Sequence, residues 1–568
     1  MNGMQFGLRP LAVPQSGGRR MQVALAAALA CMAGGAHSVE LVADDDWQVR
    51  WDNTLTYNLG VRAQNADSRI STNVSYDESD NKFAQRGDIV TNMVSVISEF
   101  DATYQGRHGL RISASAWKDF AYDDQVAYAP GTFNGTVPYS ALTSYTGNTY
   151  SDYTKRWYRQ GAQLLDAFVY TSADFSGHRA SLKVGRQTQY WGNSVFFPFH
   201  SISYGQANID VGKSLANPGA EAKELFLPRG QVYGQVQLTP ELALSGQYFF
   251  EWNRNRMPAG GTYLGIADFL FVGPDRGLLG PALVNRGQDF EPKDAGNHGL
   301  SLRWSPESMP STTFGAYYRY FDETQPWAPM IGVVGGATNY HLSYATGVRL
   351  LGLSLDRQIG DVSAGFEVSY RRGTALNSNT GPLASDLTGR EGARGNTLHM
   401  LANAQIGLTP NALYQTGIAV VEVAYSRLLD VTKNEALFKG ANTAACGSKW
   451  VGCSTRDVVN LSALFSPQWL QVFPGIDFSA PVSATVGLLG NGATLSSGNQ
   501  GTVSYSVGLT TTVRNQTTVG LSYKGYYSRV REGTAPYYAG GPEHYIAGNG
   551  TYQLNDRGWV ALTVKSTF

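Results

Sequence analysis

The chain has 568 residues, of which 15% are charged, 12% aromatic and 65 are glycine, and its 44 basic residues balance its 44 acidic ones. Charge this sparse lies well below the roughly 25% usual in soluble proteins, and the even balance argues against a nucleic-acid partner. Beyond the N-terminal run no stretch of about eighteen apolar residues occurs, which excludes membrane helices, while mean hydropathy stays negative.

At the N-terminus, Arg19 and Arg20 precede the apolar run MQVALAAALACMAGGA, and Ala36-His37-Ser38 offers small residues for cleavage. This is the layout of a secretory signal peptide over residues 1–38, too short in its apolar part for an anchor. Arg9, Arg19 and Arg20 leave with it, so the exported chain, 39–568, is near −3.

The first clear strand runs through Leu110, Ile112, Ala114 and Ala116, which alternate with Arg111, Ser113, Ser115 and Trp117. Successive side chains of a strand point to opposite faces, so one face is apolar and the other polar. The same alternation returns in 362–371, where Val362, Ala364, Phe366 and Val368 oppose Ser363, Glu367, Ser369 and Arg371. It returns again in 502–513, with Val503, Tyr505, Val507 and Leu509 on one face, and around Val519, Leu521 and Tyr523. Ten-residue segments with one apolar face and one small, hydroxylated face are the signature of an outer-membrane barrel.

Between the strands, short turns (SADFSGHR, QLTPEL, RQIGDV, GLTPNA, FSPQW, VRNQT) alternate with long links at 121–160, 373–394, 431–453 and 526–549. Short turns on one rim and long loops on the other fit such a barrel, with about 18 strands, or 16, and both termini periplasmic. By that parity Asn555-Asp556-Arg557-Gly558 is the outer lead-in to the last strand, GWVALTVKSTF. Phe568 then closes the barrel at its periplasmic end, and a terminal aromatic of this kind resembles an assembly signal for outer-membrane barrels.

Two stretches break the pattern. Residues 184–229 run from a strand ending in Arg186 into Trp191-Gly192 and Phe196-Phe197-Pro198-Phe199, and Pro198 with the lost alternation excludes a wall strand. Four bulky apolar residues in a loop need cover, so 191–229 is expected to be a plug-like segment in the lumen or a lip on the outer rim. Residues 260–284, with Phe269 and Phe271, are similarly apolar and punctuated by Gly and Pro. Trp191, Phe196, Phe197, Phe199, Phe269 and Phe271 are the candidate plug or ligand-path residues, the three closely spaced phenylalanines being favoured as plug anchors.

On the polar parity, Glu99, Asp101, Arg111, Asp119, Arg186, Glu251, Arg319, Glu367 and Arg371 form the candidate lumen network, with Trp117 and Lys524 on the same side. A Lys or Arg facing lipid at mid-membrane would cost about 2–4 kcal/mol, which supports the inward placement. Cys446 and Cys453 follow export into an oxidising compartment and are expected to form a disulfide. A metal pair would need further ligands nearby.

GRQTQYWGNSVFF, NPGAEAKELFLP and GTYLGIADF, with the opening VELVADDDWQVRWDNTLTYNLGVR and the two-cysteine loop, resemble the Gram-negative outer-membrane family catalogued as domain of unknown function 1302. The resemblance runs from about Val39 to Phe568. It implies gene neighbourhoods for catabolism of aromatic, steroid or terpenoid compounds, alongside envelope permeases.

No HExxH, G-x-S-x-G, CxxC or phosphate-cradling glycine loop occurs, and the eight histidines are scattered. Neither an enzyme nor a cofactor is therefore expected. The reading is a monomeric outer-membrane barrel, placed by the barrel assembly machinery among outer-membrane lipid. It passes hydrophobic or amphipathic small molecules, with a periplasmic or inner-membrane permease as partner. A diffusion porin for hydrophilic solutes and a surface adhesin or structural barrel stay open beside it.

Overall fold

The computed structural model describes residues 39–568 except 76, 280–281, 328–329, 335–336, 380–390, 532 and 537–540, so the expected signal peptide lies outside the described residues. Its alternating segments form one closed antiparallel sheet of 18 wall strands. In chain order these are β1 (Trp47–Arg62), β2 (Ile89–Tyr104), β3 (His108–Asp119), β4 (Gln160–Phe175), β5 (His178–Gln187) and β6 (Arg229–Gln237). Then come β7 (Leu242–Phe249), β8 (His298–Trp304), β9 (Thr312–Phe321), β10 (Val348–Ile359), β11 (Val362–Ala375) and β12 (Arg394–Gly407). The circuit ends with β13 (Thr416–Lys433), β14 (Asp457–Phe473), β15 (Ile476–Ser479 and Val482–Leu489), β16 (Val503–Val513), β17 (Thr517–Tyr527) and β18 (Trp559–Thr567).

Each strand pairs with its neighbours in sequence, and β18 returns to β1 from Thr54↔Thr567 to Arg62↔Trp559. Closure leaves no open edge, which a sheet in hydrocarbon cannot tolerate. The last peptide takes part, because Asn53 N–H donates to the Phe568 carbonyl (2.7 Å) and Phe568 N–H donates back (2.8 Å). A short strand at Val39–Ala43 covers the edge of β1 that β18 does not reach.

The alternation sorts the two faces as expected. Phe366 on β11, Leu353 on β10 and Leu509 on β16 face outward and are exposed, whereas Glu367, Ser369 and Arg371 are buried inside. All the hairpin turns on the rim carrying the termini are short, as at Ser176-Gly177 and Pro474-Gly475, and the long links lie on the other rim. One expected turn is not a turn. FSPQW lies inside β14, where Pro467 pairs opposite Gly417, and the chain reverses later, at Pro474-Gly475. Pro481 interrupts β15 instead, since proline has no N–H to give the ladder.

The apolar core of the molecule sits inside the wall. Long loops fold back into the lumen, and clusters around Tyr145, Tyr263 and Trp559 and around Trp191, Ile202 and Phe321 are buried there. Cys446 and Cys453 are joined by a disulfide in the loop between β13 and β14.

Candidate functional site

Residues 188–228, the link between β5 and β6, cross the inside of the barrel. Four wall side chains fasten the first half, and they do so through its peptide groups. Glu422 on β13 accepts from the N–H of Val195 (2.5 Å), Phe196 (3.1 Å) and Phe197 (2.8 Å). Glu367 on β11 accepts from the N–H of Asn193, Ser194 (3.1 Å) and Ile202 (2.8 Å). Arg371 donates to the carbonyls of Phe199 and Ser201, both at 2.9 Å, and Arg319 on β9 donates to those of Ile202 (2.9 Å) and Tyr204. Buried charges must be compensated, and here peptide dipoles rather than opposite charges do it.

The WGN sequence follows from this closeness. Gly192 has φ +90°, and a Cβ there would lie 2.3 Å from the Glu367 carboxylate. Trp191 is buried against Tyr317, while Phe197 and Phe199 are half-buried and add edge contacts to His200 and Tyr204. The rings contribute, but the fastening atoms are backbone.

The second half of the link reaches the opposite wall. Asn58 on β1 donates to the Asn217 side chain at 2.7 Å, and Gly219 abuts Thr56 and Thr563. Glu221 pairs with Lys565 on β18, and Lys223 pairs with Glu99 on β2. Glu99 thereby joins Asp101, Arg111 and Asp166 in one ion cluster, of which Arg111–Asp101 spans 3.1 Å and Arg111–Asp166 3.3 Å. Glu99, Asp101 and Arg111 thus fall together. Arg186 pairs with Glu251 at a separate place, and Asp119 stands apart at the end of β3, accepting from Thr91, Asn92 and Ala121.

Between this link and the wall lies a small chamber, about 70 Å³, lined by Trp117, Tyr122, Tyr153, Trp157, Tyr263 and Trp559 with Asp119. Two of its tryptophans stack, Trp117 on Trp157 at 5.4 Å. Lys213 lies over the ring of Trp117 at 4.8 Å, and Arg256 (3.6 Å) and Arg156 (5.1 Å) lie over that of Trp157. Seventy cubic ångströms is room for about two waters, not for a polycyclic molecule. A polar gap of about 390 Å³ separates Pro218–Ala220 from β15–β18 and carries Lys524 and Lys565.

Above the link a larger cavity of about 460 Å³ opens among the long loops. Phe271 lines it, next to Trp327, Leu376 and Ile546, whereas Phe269 packs at Gly277 on the other side of its loop. Sequence reading missed Glu422, Asp166, Lys223, Trp157 and Arg256. Glu422 carried a signal, as the one acid on the inward parity of TGIAVVEVAYS, but Trp157 and Arg256 lie in links with no period.

A family model described as "Protein of unknown function (DUF1302)" matches residues 19–568. No curated protein matches the chain. Among solved structures, OpdK of Pseudomonas aeruginosa with vanillate is similar at 11% identity over 92% of this chain and 98% of that one, with a TM-score of 0.41. OccAB3 of Acinetobacter baumannii is similar at 11% identity over 92% and 99%, with a TM-score of 0.40. The outer membrane channel DcaP of the same organism is similar at 11% identity over 93% and 100%, with a TM-score of 0.37.

Proposed function

The chain belongs to the DUF1302 family, and from that premise we propose that it is a monomeric outer-membrane channel through which hydrophobic or amphipathic small molecules pass. We take residues 188–228 to be its plug. The carrying observation is that this link is fastened to opposite walls, by Glu367 and Glu422 on one side and by Lys565 and Glu99 on the other. A lumen crossed in this way does not favour a wide, steady water pore. One of the two spaces beside the link is the aromatic chamber, and aromatic rings give apolar molecules both area and orientation. Because the chamber holds only about 70 Å³, passage of a larger molecule through it requires the segment 208–217 to yield. The roles of Trp191, Phe196, Phe197, Phe199 and Phe271 along this path are part of the proposal.

The polar gap beside Lys524 and Lys565 supports a second reading, a narrow porin for small hydrophilic solutes. Purified protein in planar bilayers separates the two. A small, unsteady conductance is expected, with apolar carbon sources lost to a deletion strain. A large, steadily open channel would return the porin.

A further inference from the structure

The outer cavity is walled by apolar side chains, among them Leu270, Phe271, Trp327, Leu376, Leu495 and Ile546, yet two charged groups face it. They are not equivalent. Glu323 lies in the floor with both oxygens engaged, one by the hydroxyl of Thr374 (2.5 Å) and the N–H of Ala375 (3.3 Å), the other by the hydroxyl of Tyr204. Lys439 lies in the side wall, its peptide fixed on Asn377 at 2.9 Å and on Ser454 at 2.8 Å. Among the described residues no carboxylate comes within 4.0 Å of its ammonium group, although most of the lysines and arginines facing the lumen have one. An ammonium held against apolar surface without a counter-charge is costly, and the cavity offers the space in which one would sit.

We propose that this cavity is a recognition site for amphipathic organic anions, with Lys439 binding the charged head and the apolar wall taking a polycyclic or alicyclic body. The inference rests on the reading of the barrel as a path for apolar molecules and adds the chemistry of the head group.

The disulfide loop supports the assignment independently. Val451 and Gly452 form part of the cavity wall, and the bridge from Cys446 to Cys453 holds them across from Lys439. On the outward side of that loop the ring of Trp450 gathers three further cations, Arg531 at 4.3 Å, Lys449 at 4.7 Å and Arg529 at 5.1 Å. None of these three has a carboxylate partner among the described residues either. Arg529 and Arg531 are exposed. Among the described residues, positive charge is thus gathered beside the loop that walls the cavity, and it attracts anions. Inside, the Glu323 oxygens are already spent on hydroxyl and amide donors, so the floor does not compete for a cation.

The probes are 1-pyrenebutyrate and its uncharged counterpart 1-pyrenebutanol, titrated by fluorescence against the full chain in nanodiscs, with empty nanodiscs as the baseline. The parent should bind the butyrate at least about tenfold more tightly, the scale of one charge-assisted hydrogen bond. Lys439→Gln should bring the two probes level without weakening the alcohol, and Lys439→Arg should restore the preference. Heat-shifted gel mobility shows that each variant has assembled, and Lys439→Met replaces Lys439→Gln if that one does not. Equal binding by the parent, a preference that survives Lys439→Gln, or tighter binding of 1-pyrenebutylamine would overturn the assignment while leaving the apolar path standing. Binding of neither probe would overturn both.

Discussion

Where β1 and β18 meet at the loop rim, Arg62, Asp80, Asp556 and Arg557 are withdrawn from water together. Arg62 lies 2.9 Å from Asp80 and 3.1 Å from Asp556, and Arg557 donates to the carbonyls of Tyr263 (2.7 Å) and Gly265 (2.6 Å). Burial, with Asp80 alongside, pushes the Asp556 carboxyl up to about 7 against the pull of both arginines. A carboxyl raised on folding holds its proton more tightly in the folded state. Its contribution is therefore full below its unfolded value, near 4, and is lost as pH rises through about 7. The temperature at which gel mobility shifts should fall between pH 5.5 and 8.5 for the parent, and Asp556→Asn should flatten that fall. An unchanged slope in the variant would assign the dependence elsewhere. The sequence marked 555–558 as a lead-in by parity alone. It gave no hint of Asp80 or Arg62, because nothing in a single chain reveals which distant charges a closing seam will bring together.

At the scale of the element, the link inside the barrel is held by charge on peptide groups. A carboxylate accepting from two or three N–H groups contributes about 1.5–3 kcal/mol per bond removed, and the amide of glutamine keeps only one acceptor oxygen. Glu367→Gln with Glu422→Gln should loosen 193–202 and raise single-channel conductance and sensitivity to bulky antibiotics. Phe196→Ser, Phe197→Ser and Phe199→Ser together should leave conductance close to the parent value, because the same amides remain bonded. If the serine variant opens the channel and the glutamine variant does not, the rings and not the peptide groups hold the link. Sequence reading put the weight on the phenylalanines, since bulky apolar residues in a loop are conspicuous. The groups that fasten them were partly visible, as Glu367 and Arg371 on the inward parity, and partly overlooked, as Glu422. What a strand pattern lacks is the partner, for backbone amides of a loop have no signature in the letters.

For the whole molecule, strand number, the two-rim asymmetry and the closing role of the last strand were legible, because alternation and parity are local rules repeated around the wall. The one misplaced turn, FSPQW, came from reading Pro467 as punctuation, when the strand absorbs it beside Gly417. Closure rests on the final peptides of β18 against β1. Deleting Phe568 removes both hydrogen bonds to Asn53 together with the terminal ring, so outer-membrane yield of folded protein should drop several-fold, while the surviving fraction conducts like the parent. Normal yield would show that β18 seals the seam without its last residue.

The backbone attachment of the link has a consequence for how such a barrel varies over time. Every main chain offers the same N–H and C=O groups, whatever side chains it bears, so Glu367, Glu422, Arg319 and Arg371 make few demands on the letters between Trp191 and Tyr204 beyond the glycine at 192. Mutations at Val195, Phe196 or Phe197 can accumulate without detaching the segment. The wall then acts as a fixed socket, and the side chains that the segment presents to the lumen can change while its attachment is left untouched.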